Sequence, residues 1–292
     1  MGWKIVEIQE ANTLKLFLGN LVIYKDQDKI TIPISDIDVL LINNYKINVS
    51  IQLLNAFSDN NTLVIFCNNK CMPQTYVLPI FGNYNTLKIF NNQLKWNHKF
   101  KSNLWVSIIK QKIENQIIFL YRNDFPKERI ELISKFKKEI KSYDITNREG
   151  HASKVYWNTI YGNDFSRDKD IYINTLLNYG YTVLHGYLSR SIIKKGLDPR
   201  ISIFHKSFHN HFSLSSDLVE PFRILIDQKV YEIIKKGEGN MIEHKKELVN
   251  VFNTKIKINN TMQFVNNAID IYLDAIVNQT EFPTFDFYID DK

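Results

Sequence analysis

Apolar positions along the chain change period near residue 80. Before it they fall in short or alternating runs: Trp3–Ile8, Leu14–Leu18, Leu21–Tyr24, Ile30–Ile34, Val39–Ile42, Thr62–Cys67 and Thr75–Leu78. Their length and their β-branched and aromatic content predict strands. Gly19-Asn20 reads as a tight hairpin turn, and Lys25–Asp28 as a second, polar one. Ser50–Phe57 fits a short helix with Ile51, Leu54 and Phe57 on one face.

After Pro79 the spacing becomes helical. Thr86–Trp96, Ser102–Tyr121, Lys127–Lys141, Arg148–Tyr161, Asp168–Lys195, Leu214–Lys236, Glu243–Phe252 and Met262–Asn278 each place apolar residues three and four apart. Breakers separate them, among them Asp124-Phe125-Pro126, Gly162-Asn163-Asp164 and Gly196–Pro199. The pattern predicts an α+β multidomain chain: a small N-terminal β-rich domain over residues 1–84, then a larger all-α domain over residues 85–292.

A chain of 292 residues with 44% apolar content can build a sizeable core. No apolar run is long enough to span a membrane and no signal peptide is visible, so a cytoplasmic protein is expected. Cys67 and Cys71 have no second pair with which to complete a zinc tetrahedron and are expected to be reduced thiols. Charge is unevenly spread. Residues 1–84 hold six Lys/Arg and seven Asp/Glu, a net of −1, whereas the remainder carries +7. A basic excess confined to one region suggests a polyanionic partner there.

The polar candidates for chemistry lie in that region. In Ser213–Arg223 (SLSSDLVEPFR), Ser215 or Ser216 is a suitable N-cap, and Asp217 and Glu220 then share one face of a first helical turn. Acids at a helix start also simply complement the macrodipole. Pro221 fits only near the helix start and so puts Glu220 at the opening. Just upstream, His205, His209 and His211 account for three of the seven histidines. Imidazole beside carboxylates is a ligand set suited to Mg2+ or Mn2+, and three histidines could also hold zinc. In Arg148–Trp157 (REGHASKVYW), Glu149 opens an amphipathic helix. The small residues Gly150, Ala152 and Ser153 imply close packing there, while Arg148 and Lys154 could meet phosphates. Asn178 is expected to be a buried side chain bonding across helices. On composition and spacing alone, a metal site and a set of helix-start charges remain equal readings.

The segments Arg148–Trp157, Asn174–Tyr181 (NTLLNYGY), Gly196–Pro199 (GLDP), His205 and Asp217–Arg223 (DLVEPFR) occur in the order and near the spacing of one family. The chain resembles the universal integrase of CRISPR adaptation, the CRISPR-associated endonuclease, along essentially its whole length. The resemblance implies that Glu149, His205 and Glu220 hold Mg2+ or Mn2+, with Asp217 assisting. It also implies that the site joins short double-stranded DNA fragments to a repeat array by transesterification. Arg148, Lys154, Lys206 and Arg223 are candidate DNA contacts, and His209 and His211 match no family ligand. The resemblance further implies a β-rich dimerisation domain, a homodimer, and a small second CRISPR adaptation protein completing a hetero-hexamer. Length and motif flavour point to the compact type II form, for which the effector nuclease is a further candidate partner. Two other readings stay open: a metal-dependent structure-specific DNA repair nuclease, and a non-catalytic DNA-binding scaffold.

Overall fold

A computed structural model describes residues 4–11, 13–80, 83–205 and 209–287. The chain divides into two compact units. The first comprises Met1–Ile89 and Thr182–Leu197, the second Phe90–Tyr181 and Asp198–Lys292.

The first unit carries the predicted strands: β1 (Lys4–Ile8), β2 (Thr13–Phe17), β3 (Asn20–Lys25), β4 (Asp28–Pro33), β5 (Ile37–Ile42), β6 (Leu63–Cys67) and β7 (Pro73–Val77). They form two sheets. One has the order β1-β5-β6-β7, parallel across its first three strands and antiparallel at β7. The other is the antiparallel meander β2-β3-β4. Central β5 is buried at all six positions, as a strand covered on both faces should be. The crossover from β5 to β6 is α1 (Ile51–Asp59), capped by Ser50 Oγ, which accepts from Leu53 N–H. The first hairpin turn sits one residue earlier than expected. Phe17 pairs with Asn20, so Leu18 and Gly19 form the two-residue loop, both at positive φ. Such a loop needs left-handed backbone at both positions to match strand twist. Ile8, Leu14, Leu21, Leu40, Leu53, Phe57 and Val64 make up much of the core.

Helical periodicity materialises as α2 (Thr86–Leu94), α3 (His98–Arg122), α4 (Lys127–Lys138), α5 (Arg148–Tyr161) and α6 (Tyr172–Lys194). The later part of α6 belongs to the first unit. There Arg190 meets buried Asp38 at 2.7 Å and donates to Asn61 O, while Tyr187 Oη donates to Asp38 at 2.8 Å. Gly186 is required at its position, since a Cβ would come within 2.7 Å of the Tyr76 ring.

The expected single helix over Leu214–Lys236 is instead three pieces: α7 (Ser213–Leu218), a 3-10 turn Glu220–Phe222, and α8 (Arg223–Lys236). Pro221 lies in the first positions of the 3-10 turn, where its missing N–H costs nothing. Then follow α9 (Met241–Asn250), opened by an Asn240–Glu243 capping box, and α10 (Val265–Val277). The α+β class holds, with N-terminal strands preceding a mainly helical part. That part also carries a sheet of β8 (Lys255–Ile258), β9 (Thr261–Phe264) and β10 (Phe285–Asp286) in the order β10-β8-β9. Residues 262–264, expected at the start of the last helix, are therefore strand. Among the described residues no helix is long and apolar enough to cross a membrane.

Candidate metal centre

Helix α3 is the centre of the second unit, in contact with α4, α5, α7 and α8. Trp105, Ile108, Ile109, Ile113 and Phe119 are buried along it. Lys112 and Gln116 share that inward side by helical spacing, four and eight residues beyond Ile108. Lys112 is therefore a cation at a core position. It meets two acids: Nζ lies 2.5 Å from Glu149 Oε1 and 2.6 Å from Glu220 Oε2.

Glu149 is positioned by the loop before its helix. Tyr143, Asp144 and Asn147 all adopt positive φ. Asp144 then caps α5 from outside, accepting from the N–H groups of Arg148 and Glu149 at 2.9 Å each. Gly150 leaves room for Asn147, whose side chain would lie 2.6 Å from a Cβ. Ser153 Oγ donates to Glu149 Oε1 at 2.8 Å.

Glu220 arrives on the 3-10 turn, which Asn115 of α3 fastens by donating to Pro221 O at 2.8 Å. Phe222 of that turn packs edge-on against Tyr272, Phe285 and Phe287. The aromatic C-terminal stretch thus docks on its own unit and supports the turn from behind. Arg223 Nε donates to Glu220 Oε1 at 3.0 Å. Burial works against the Glu220 anion, but Arg223 and Lys112 outweigh it and hold the carboxyl down at about 2. Lys112 likewise holds Glu149 below the usual carboxylate range against burial. Glu220 Oε2 is buried and held by the Lys112 ammonium at 2.6 Å, off the line of an ideal hydrogen bond.

Asp217 is fully buried and does not sit in a first helical turn: α7 starts at Ser213, after Phe212, and Asp217 is next to its last residue. Its carboxylate accepts from the backbone N–H groups of Ile203, Phe204 and His205 at 2.7, 2.9 and 3.1 Å. It also meets His205 Nδ1 at 2.6 Å. Phe204 stacks on Trp105 with centroids 4.3 Å apart, which fixes the same loop. The bond to Asp217 raises the His205 pKa against partial burial.

The predicted residues therefore form two pairs, Glu149 with Glu220 across Lys112, and His205 with Asp217. Among the described residues no group of three His, Cys, Asp or Glu side chains is gathered to hold an ion. The donor set nonetheless fits one. Two carboxylates from separate elements already enclose a cation, and Asp217 takes His205 Nδ1, which would leave Nε2 for an ion. Arg223 is part of this network and lines the cleft beside it, and its guanidinium also lies 4.6 Å from the Tyr181 ring. Arg148 pairs with Glu139 at 3.1 Å, Lys154 is exposed, and Lys206 lies outside the described residues. His209 and His211 are exposed. Asn178 is exposed as well. The buried asparagine on α6 is Asn174, which donates to Ser166 O and Lys169 O and accepts from Arg167.

Sequence reasoning missed Lys112, Tyr181 and Asp227. They line, with Glu149, Glu220, Arg167 and Arg223, a cleft of about 240 Å3. Tyr181 Oη donates to Asp227, and burial pushes Asp227 up to about 6. The available signal was charge at inward helical spacing, as at Lys112.

The chain falls in the CRISPR-associated class: the family described as CRISPR associated protein Cas1 matches residues 6–256. The chain belongs to the Cas1 family. It is 31% identical over 239 residues to the CRISPR-associated endonuclease Cas1 of Neisseria meningitidis serogroup C, covering 81% of this chain and 78% of that protein. Its fold is similar to a Cas1 protein from Thermotoga maritima, with TM-score 0.78, 17% identity, and coverage of 98% of this chain and 100% of that one. It is also similar to a casposase bound to integration product, with TM-score 0.77, 19% identity, and coverage of 100% and 96%.

Proposed function

We propose that this chain is a divalent-metal-dependent DNA endonuclease and integrase that inserts short double-stranded fragments into a CRISPR repeat array. The observation that carries this reading is the convergence of Glu149 and Glu220 on one cation position in a Cas1-family chain. Glu149, Glu220 and His205 Nε2 would hold Mg2+ or Mn2+. Asp217 keeps the Nδ1 proton on His205 and aims the ring. When bound, the ion supplies the positive charge that an anionic phosphodiester needs before a nucleophile can approach it.

In the reaction a fragment's 3′-hydroxyl attacks a phosphorus at the repeat edge. One P–O bond forms as the attacking hydroxyl gives up its proton, and the bond to the departing 3′-oxygen breaks as that oxygen takes a proton up. The number of phosphodiester bonds is unchanged, so no external energy source is required. Water in place of the hydroxyl gives strand cleavage. Arg148, Lys154, Lys206 and Arg223 are proposed to meet phosphates.

Residues 1–84 are proposed as the homodimerisation domain and residues 85–292 as the catalytic domain. The exposed apolar residues Phe17, Leu18 and Ile30 of the first unit support a protein contact there. A small second adaptation protein is the expected partner in a hetero-hexamer. We further propose the compact type II form, cytoplasmic, with the effector nuclease as an additional partner.

The test is fragment integration into supercoiled repeat-bearing DNA with purified partner. Glu149→Ala, His205→Ala and Glu220→Ala should each abolish strand transfer, as should EDTA. Full activity in EDTA or in Glu220→Ala would overturn the metal site, and salt-sensitive DNA binding with no metal requirement and no strand transfer would favour the non-catalytic scaffold. Cleavage of branched DNA without partner or repeat would favour the repair nuclease.

A further inference from the structure

Lys112 touches both acids of the pair that the proposed function assigns to an ion, and nothing else in the site does so among the described residues. Its Nζ stands where positive charge is shared between Glu149 and Glu220. Both carboxylates are largely buried, and without a cation their mutual repulsion and desolvation would drive them apart or protonate one of them.

The lysine serves the two acids unevenly. It donates a hydrogen bond to Glu149, while its 2.6 Å contact with the buried Glu220 Oε2 lies off the line of an ideal hydrogen bond. An ammonium reaches the two acids through separate N–H groups, whereas a divalent ion draws carboxylate oxygens into one coordination shell. The two carboxylates that now share the amine are the kind of oxygen donors such an ion takes. Lys112 also has somewhere to go. Its stem is four flexible carbons long, and the cleft beside it is lined by a third carboxylate, Asp227, whose charge Lys112 already influences.

We propose that Lys112 is a resident counter-cation of the acid pair, holding Glu149 and Glu220 in place in the ion-free protein and yielding to the incoming divalent ion by swinging toward Asp227. Metal loading is then a cation exchange rather than entry into a vacant cage. The acids stay assembled without an ion, at the cost of affinity for it. This inference rests on the reading of Glu149 and Glu220 as ion ligands.

The test is Mn2+ binding by calorimetry on the full chain without DNA, for the unaltered protein, Lys112→Met, Lys112→Gln and Glu149→Gln. Both Lys112 variants should bind Mn2+ more tightly than the unaltered protein, by about tenfold or more. Their ion-free melting temperatures should fall, and Mn2+ should restore them by a larger shift than it gives the unaltered chain. Lys112→Gln retains hydrogen bonding without charge and serves if the methionine variant does not fold. A measurement needing no substitution is amine labelling read by mass spectrometry. Lys112 should be protected in EDTA and should react faster in Mn2+. Equal or weaker Mn2+ affinity in a folded Lys112 variant, or an unchanged labelling rate while Mn2+ binds, would overturn the exchange and leave the metal site standing. Absence of Mn2+ binding in every protein, or undiminished binding by Glu149→Gln, would instead overturn the ligand assignment and this inference with it.

Discussion

His205 Nδ1 and the fully buried Asp217 carboxylate lie 2.6 Å apart, and the same carboxylate gathers three successive backbone N–H groups ending at His205 itself. One acid thus sets both the path of the loop and the orientation of the ring it carries. Asp217→Asn would turn a donor toward at least one of those N–H groups. We expect a stability loss of about 2–4 kcal/mol and Mn2+ affinity lowered by about 10–100-fold, by denaturant unfolding and calorimetry. Because Asp217 raises the histidine's pKa, the pair's stabilisation is full below the unfolded value near 6.5 and fades as pH rises through the raised one. In the variant the His205 titration, followed by NMR, should move down. An unmoved titration would refute the coupling.

Asp227 carries the opposite expectation. Burial raises its pKa to about 6 from 3.8, so the folded chain keeps a proton there that the unfolded chain releases. Stability from this group is greatest below the unfolded value, falls as pH climbs between about 4 and 6, and stays reduced above. Asp227→Asn should therefore be more stable than the unaltered chain at pH 7.5, on the order of 2–3 kcal/mol, with the advantage gone near pH 4. Urea melts across that range check the sign.

In the first unit, Asp38 and Arg190 form a buried ion pair. Asp38→Ala removes the counter-charge of a buried guanidinium and should cost about 3–5 kcal/mol, whereas Asp38→Leu combined with Arg190→Met should recover most of the loss. Thermal unfolding of the two variants distinguishes a needed charge pair from a needed volume. Equal losses would mean that shape governs.

The basic excess after residue 84 predicts DNA affinity that falls steeply with salt, because backbone contacts release counterions. Fluorescence anisotropy between 50 and 200 mM salt, roughly, should lose orders of magnitude in affinity. A flat response would argue against a phosphate-tracking surface.

Strand and helix content was legible wherever one periodicity dominated a segment. Helix α5 spans Arg148–Tyr161 as its apolar spacing implies, and β5 contains the Val39–Ile42 run. The pattern failed where two periods merge. Lys255–Ile258 alternates cleanly and turns through Asn259 and Asn260 at positive φ, but its partner strand runs straight into α10 and so reads as helix. At the site, Glu149, His205, Asp217 and Glu220 were visible as residues, because polar groups clustered between apolar runs. Their pairing was not. Asp217 looks like a helix-start charge until the 200–205 loop folds onto it, and Lys112 looks like a solvated lysine until α3 is enclosed on several sides. Both depend on contacts between segments far apart in sequence, which no local pattern contains.

The aromatic stack behind Phe222 bears on the order in which the chain becomes functional during synthesis. Phe285 and Phe287 leave the ribosome long after Glu220, yet they pack against the turn that presents it. While the helices of the second unit emerge, this acid rests on a turn fastened by Asn115 but without its full aromatic backing. A nascent chain can thus expose DNA-attracting charge before its acid site is fully supported, and that support is complete only when the last strand of the small sheet pairs.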